Sequence, residues 1–233
     1  MGTKRNAYEK HEYKIAEKKV WIYPSAEADK PVIYLNTYSE EGGRVYEALR
    51  ERGCPAFTLV AISGLDWNHD MAPWDIPPIS KSDTPCTGGA DEYLRLLREE
   101  IIPKSEEQIR GCALWRGIAG YSLAGLFALY SLYQTEIFSW AASISGSFWF
   151  PHFTEYICSH ELKKKPEHLY FSLGDAECRT KNPYLKVMQE QTEKIERFYR
   201  DNGIDTYFKL NSGNHFKDGI ERTAAGIVWL LER

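Results

Sequence analysis

Ser122 lies in the hexapeptide Gly120-Tyr121-Ser122-Leu123-Ala124-Gly125, a G-x-S-x-x-G arrangement. The commoner nucleophile elbow, G-x-S-x-G, places its second glycine one position earlier, where this chain has the small residue Ala124. The apolar pair Ile118-Ala119 precedes the motif, and Leu126 to Tyr130, free of Pro and Gly, follows it. A strand that turns sharply into a helix would hold Ser122 at the apex in a strained conformation, with its hydroxyl projecting from the carboxyl edge of a sheet. Strand and helix cross closely at such a turn, and Gly120, Ala124 and Gly125 are small enough to allow it. The helix N-terminus adds free N–H groups and a dipole that favour developing negative charge. The same letters also suit an ordinary N-capped helix, since Ser caps well and Gly is common in turns. The choice rests on what else the chain supplies.

A nucleophilic serine needs a base to take its proton, and the base needs an orienting acid. Six histidines are available. His11 falls in a polar N-terminal tail (residues 1–12), His69 in a long loop, and His152 and His160 flank a short helix. His168 opens a strand at its amino end, the wrong edge. Only His215 stands between the last strand and the last helix. Asp175 and Glu177 both follow the strand that ends near Leu173, and their spacing of two aims both the same way in an extended turn. An oxyanion hole needs two backbone N–H groups. Leu123, directly after Ser122, is one candidate, and Tyr38 or Thr37, after the run Pro31 to Leu35, the other.

The positioning elements follow from periodicity. Two short strands, around Lys14 to Ala16 and Val20 to Tyr23, open the chain. The runs Pro31 to Leu35 and Phe57 to Ile62 are continuous, apolar and β-rich, as strands buried on both faces are. A helix from Arg44 to Arg52 lies between them, which implies parallel pairing. Residues 63–90 form a long loop with no periodicity but with Trp67 and Trp74, as an ordered active-site loop would. Helical spacing covers Asp91 to Ile102, where Pro103 should break or kink the helix, with a second short piece from Lys104 to Arg110. The strand from Leu114 to Tyr121 leads into Ser122, and an all-apolar helix runs to Tyr133. Strands at Trp140 to Ser145, His168 to Leu173 and Asp205 to Leu210 follow, with a long helix from Pro183 to Asn202 before the last of them. A final helix carries Ile220, Ala224, Ile227 and Leu231 on one face. The expectation is one α/β domain over 1–233, with a mainly parallel sheet of about eight strands and helices on both faces.

Composition narrows the partners. The 233 residues carry a net charge of −4 with interspersed signs, so no nucleic-acid footprint or membrane tether is expected. No apolar run approaches the ~20 residues of a membrane span. Five scattered cysteines without C-x-x-C spacing read as reduced thiols, and hence as a cytoplasmic protein without a zinc site. No metal or cofactor is called for, and nothing in the chain points to a particular oligomeric state.

With these residues in hand, the chain resembles the Putative esterase group of α/β hydrolases, related to esterase D (S-formylglutathione hydrolase), feruloyl esterases and siderophore trilactone esterases. The matching pieces are G-Y-S-L-A-G (120–125), S-L-G-D-A-E (172–177), G-N-H (213–215), D-W-N-H-D-x-x-P-W (66–74) and T-G-G-A-D-E-Y-L (87–94). The order Ser, acid, His is also that of the α/β-hydrolase fold. The resemblance implies a serine carboxylic-ester hydrolase forming an acyl-enzyme on a small-molecule ester. Related turns read G-x-x-D, which puts the acid at Glu177, although esterase D has Asp there. Asp175 would then brace the turn. Many hydrolases carry His-Gly-x where this chain has Asn36-Thr37-Tyr38, and the missing Gly leaves Thr37 and Tyr38 both open as the second donor. No glutathione-adduct pocket is recognisable. Trp67, Trp74 and Trp149 would wall the acyl or alcohol pocket, with Thr37 also at the substrate. Three alternatives share these residues: an acyltransferase on the same triad, a non-catalytic binding protein of the same fold, and a metallohydrolase on Asn68-His69-Asp70. The last lacks a partner cluster of suitable spacing.

Overall fold

The computed structural model describes residues 10–233, so the first nine residues of the expected tail lie outside it. The rest of that tail corrects the expectation. His11 and Glu12 belong to a strand, β1 (His11–Ile15), which pairs antiparallel with β2 (Lys18–Tyr23) about a turn at Ala16-Glu17. Ala16 takes a left-handed φ of 46° at that turn. Next come β3 (Val32–Asn36), α1 (Gly42–Glu51) and β4 (Thr58–Ser63). Every residue of β3 and of β4 is buried, as their unbroken apolar runs require of strands covered on both faces.

Residues 63–90 are ordered by short elements the sequence pattern did not show: α2 (Trp67–Asp70) and the two-residue pair β5 (Asp75–Ile76) with β6 (Cys86–Thr87). A buried ion pair between Lys18 and Asp70 ties the loop to β2, and the Asp70 carboxylate also accepts the Asp66 N–H at 2.8 Å. Beyond it, α3 (Ala90–Leu96) does not break at Pro103. It passes through a π-helical turn (Leu97–Ile101) into α4 (Ile102–Glu106). The Ile102 N–H bonds the Leu97 carbonyl, five residues back, which moves the ladder along and gives Pro103 a first-turn position where its missing N–H costs nothing. The expected second piece therefore ends at Glu106, short of Arg110.

The remaining elements are β7 (Arg116–Tyr121), α5 (Leu123–Gln134), β8 (Trp140–Ile144), α6 (Phe153–Ser159), β9 (His168–Gly174), α7 (Pro183–Lys186), α8 (Met188–Asp201), β10 (Asp205–Asn211) and α9 (Gly219–Leu231). The expected helix over 183–202 is thus divided at Val187. Asn182 caps its first piece, accepting the Tyr184 N–H at 2.9 Å.

Eight strands form one sheet in the order β1-β2-β4-β3-β7-β8-β9-β10, in which β2 alone runs against the others. Helices cover both faces. One core layer joins α3, α5, α6 and α8 to the sheet, and the other joins α1 and α9. Eleven consecutive residues of α5, Leu123 to Tyr133, are buried, in keeping with a helix that has no polar face. The chain passes from β3 outward to β4 and then returns to lay β7 on the other side of β3. That reversal opens a crevice at the carboxyl ends of β3 and β7, where α/β sheets bind ligands.

The tightest point of the fold is the crossing of β7 and α5. A Cβ on Gly120 would overlap the Ala124 backbone carbonyl, and one on Gly125 would lie 3.0 Å from the Gly120 oxygen. Gly120→Ala is expected to destabilise the protein by about 1–3 kcal/mol through overpacking. Ala124→Gly should cost at most about 1 kcal/mol of helix propensity. Denaturant unfolding of the two variants checks the order.

Candidate active site

Ser122 occupies the single residue between β7 and α5 with φ 60° and ψ −125°. A non-glycine residue held there costs on the order of 1–3 kcal/mol and persists only when its surroundings fix it. They do so through the backbone. The Ser122 N–H donates to the Ile144 carbonyl at 3.0 Å, and the Ser122 carbonyl accepts from Gly125, Leu126 and Ser147 N–H groups at 3.0, 3.2 and 3.1 Å. The motif is therefore a strained strand-to-helix turn rather than a simple capped helix.

His215, on the connection between β10 and α9, places Nε2 3.1 Å from Ser122 Oγ. Its Nδ1 lies 2.7 Å from Oε2 of Glu177, on the turn after β9. An ionised carboxylate only accepts, so Nδ1 carries the proton and Nε2 is left to accept from the serine. The Glu177 side chain is 2% exposed. Its Oε1 accepts from the Ser145 hydroxyl at 2.8 Å, the Gly174 N–H at 2.6 Å and the Arg222 guanidinium at 3.2 Å. Burial alone would raise the Glu177 pKa, but the hydrogen bond and charge of His215, with the Gly174 and Ser145 donors, outweigh it and hold the group below its ordinary value. Asp175, two residues earlier, points elsewhere: it is exposed, and its Oδ1 accepts the Gly213 N–H at 2.8 Å. It braces the acid turn against the histidine loop and does not contact the imidazole.

The candidate oxyanion donors are placed by register. Asn36 of β3 pairs with Gly120 of β7, so two residues further on Tyr38 runs beside Ser122. The Leu123 N–H, at the first helical position, has no intrahelical partner. The Thr37 N–H is committed to the Ile62 carbonyl at 2.9 Å, so of the two alternatives only Tyr38 has an amide outside the sheet ladder. That amide donates to Glu41 Oε1 at 3.1 Å, and the neighbouring Ser39 N–H to Glu41 Oε2 at 2.7 Å. The turn thus already binds one carboxylate, its own.

A family model described as Putative esterase matches residues 18–215. The chain belongs to this family. Membership places its chemistry with carboxylic-ester hydrolysis. Over 209 residues, 83% of this chain and 82% of the relative, it is 24% identical to YbbA of Bacillus subtilis (strain 168), named as an uncharacterized protein. Its backbone is similar to that of the siderophore hydrolase EstB from Aspergillus nidulans, with a TM-score of 0.75 at 18% identity over 100% of this chain and 97% of that one. An IroE-like serine hydrolase from Shewanella oneidensis gives 0.76 at 18% identity over 97% of this chain and 80% of that one. These likenesses establish the α/β-hydrolase fold.

In this esterase Ser122 and His215 lie where two cavities meet. The larger, about 1190 Å³, is open and runs past Thr37, Tyr38 and Trp67 to α1 and the start of α9. The smaller, about 450 Å³, is more apolar, with Ile76, Ile79, Trp149, Leu185 and Met188 in its walls. Trp67 borders both, in edge-to-face contact with Tyr38 at 5.2 Å. Phe216, 90% exposed beside His215, also borders both. Trp74 is a correction: it lines neither cavity. Its ring packs among Phe150, Phe153 and Tyr156, and its Nε1–H donates to the Pro151 carbonyl at 3.1 Å. It is a structural pin between the long loop and α6, because aromatic neighbours and a backbone acceptor satisfy both its ring and its N–H.

The Asn68-His69-Asp70 cluster disperses. The Asn68 amide bonds Thr84, the His69 Nδ1 lies 2.8 Å from the Thr87 hydroxyl, and Asp70 pairs with Lys18. Among the described residues no group of three or more His, Cys, Asp or Glu is placed to hold a metal ion. No helix among them is long and apolar enough to cross a membrane. Sequence reasoning missed Glu41, Ser145, Ser147, whose hydroxyl lies 3.3 Å from that of Ser122, and Arg222. Only Arg222 carried a signal: a cation close to the start of a helix, where the dipole disfavours it.

Two variants distinguish the carboxylates. Glu177→Gln is expected to lower kcat by about 10⁴-fold by leaving the imidazole in the wrong tautomer. Asp175→Asn should stay within about tenfold of the parent. Steady-state kinetics on folded protein decides, and a crippled Asp175→Asn with an active Glu177→Gln would reverse the assignment. Trp74→Ala should lower stability by on the order of 3 kcal/mol and leave the ranking of ester substrates unchanged, whereas Trp149→Ala should alter that ranking.

Proposed function

We propose that the protein is a serine carboxylic-ester hydrolase in which Ser122 is the nucleophile, His215 the general base and acid, and Glu177 the orienting acid. The observation that carries this reading is the unbroken line from Ser122 Oγ to His215 Nε2, and from His215 Nδ1 to Glu177 Oε2, at 3.1 and 2.7 Å. Ser122 Oγ attacks the ester carbonyl while His215 Nε2 takes its proton. The negative charge that develops on the carbonyl oxygen is met by the Leu123 N–H at the helix N-terminus and by the Tyr38 N–H, which exchanges its Glu41 partner for the oxyanion. The alcohol leaves with the proton from His215, and Ser122 is acylated. Water, deprotonated by His215, then attacks the acyl-enzyme, and the carboxylic acid departs as Ser122 regains its proton. No step calls for a metal or organic cofactor. The apolar cavity beside Trp149 suits one arm of a small-molecule ester and the open cavity beside Tyr38 the other.

Ser122→Ala should lose about 10³-fold or more of ester hydrolysis while remaining folded. A fluorophosphonate probe should label the parent and not the variant. The substrate panel comprises short acyl, aryl, feruloyl and trilactone esters, the last because similar structures are named as siderophore hydrolases. Near-parental turnover by Ser122→Ala would sink the proposal.

A further inference from the structure

One buried cation stands behind the site. The Arg222 side chain, on α9, is 3% exposed. Its Nη1 donates to Glu177 Oε1 at 3.2 Å and lies 3.3 Å from the Tyr121 hydroxyl, and its Nη2 donates to the Ser212 carbonyl at 3.1 Å. Tyr121 passes the contact on, its hydroxyl donating to the His215 carbonyl at 2.8 Å and its ring meeting the imidazole edge-on at 5.3 Å. The guanidinium thus touches the turn after β9, the end of β7 and the loop after β10, which between them carry all three residues of the proposed triad. The backbone makes room for it, since a Cβ on Gly174 would lie 3.0 Å from both terminal nitrogens.

We infer that Arg222 is a positioning residue, which locks the Glu177 carboxylate toward His215 and, through Tyr121, fixes the backbone that carries the imidazole. This inference rests on the proposed triad. Two physical consequences separate it from mere packing. First, Arg is charged at every working pH and its planar fork holds one carboxylate oxygen and two further acceptors at once, which a single ammonium cannot reproduce. Secondly, His215 becomes a cation during the reaction with Arg222 already positive on the far side of Glu177. The two like charges oppose each other, so Arg222 bears on the imidazolium that the reaction forms as well as on the carboxylate it holds. The other groups around the imidazole are Glu177 from the acid turn, Tyr121 and Ser122 from the elbow, and Phe216 beside it. Glu41, Arg44, Glu47, Glu51, Asp218 and Glu221 share the open cavity's wall. The acids in this set favour the cation and Arg44 opposes it from the cavity wall; Arg222 is the cation hydrogen-bonded to the imidazole's own carboxylate partner.

The test compares Arg222→Met, Arg222→Lys, Tyr121→Phe and Ser122→Ala by the pH profile of kcat/KM, with kcat and KM resolved separately. Arg222→Met should lower kcat by about tenfold or more with KM within about threefold, and move the acid limb up by about 0.5–1 pH unit. Arg222→Lys keeps the charge and loses the fork, so the limb should stay while kcat falls. Tyr121→Phe should lower kcat with the limb in place. An unmoved limb in Arg222→Met, or parental kcat in Arg222→Lys, overturns the inference. If the Met variant does not fold, parental kcat in either Arg222→Lys or Tyr121→Phe overturns it, and a kcat loss in both at unchanged KM supports it. Ser122→Ala keeps the two proposals apart: an active Ser122→Ala removes the triad itself, whereas an inactive one beside unaffected Arg222 variants removes only the role of the arginine.

Discussion

The close crossing of β7 and α5 is the constraint on which the rest of the site depends. With no side chain at Gly120, the helix starts directly against the strand, and Ser122 is left a left-handed φ of 60° that the surrounding backbone enforces. Its carbonyl is held by three N–H groups and its own N–H by Ile144, so the hydroxyl has a fixed origin. A strained residue that four hydrogen bonds hold in place has its position fixed by the fold itself. The strand order then supplies the neighbours. Because β7 lies beside β3, the turn that follows β3 faces the serine across one strand spacing, and the turns after β9 and β10 close the far side.

A second dependence runs through Glu177. A carboxylate with 2% of its side chain exposed is costly unless its lone pairs are used, and here four donors share them. Ser145 contributes from another left-handed position, φ 46°, directly after β8. The carboxylate accordingly has one orientation, and that orientation directs Oε2 at Nδ1 of His215. Of the two cavities meeting at the serine, the smaller has the more apolar lining.

Much of this was legible in the chain. The continuous apolar runs of β3 and β4 and the all-apolar α5 announced buried elements, and the strand ends located Ser122, Glu177 and His215 on a common edge. These features are local: they depend on the period of side-chain burial and on which residues a turn accepts, and both are written within a few positions of one another. Even Pro103, which locally reads as a break, misled only because a π turn was free to absorb it.

The remainder was decided by residues distant in sequence. Asp175 and Glu177 are two apart and equivalent by alternation; what separates them is that Gly213 offers Asp175 an N–H, while Ser145, Gly174 and Arg222 build a pocket for Glu177. Trp74 and Trp149 are both expected at the pocket wall from sequence, yet one is consumed by the aromatic cluster at α6 and the other lines the cavity. The Tyr38 amide is engaged by Glu41, and a lone arginine on α9 is drawn into the interior by a carboxylate and a carbonyl from two other loops. Sequence by itself determined most strands of the main sheet and the longer helices, and put Ser122, Glu177 and His215 at one edge of it, because burial periodicity and turn preference are short-range. Only the tertiary structure decided which polar group meets which, because a buried hydrogen bond is settled by the partners that packing brings within about 3 Å, and those partners lie on different strands.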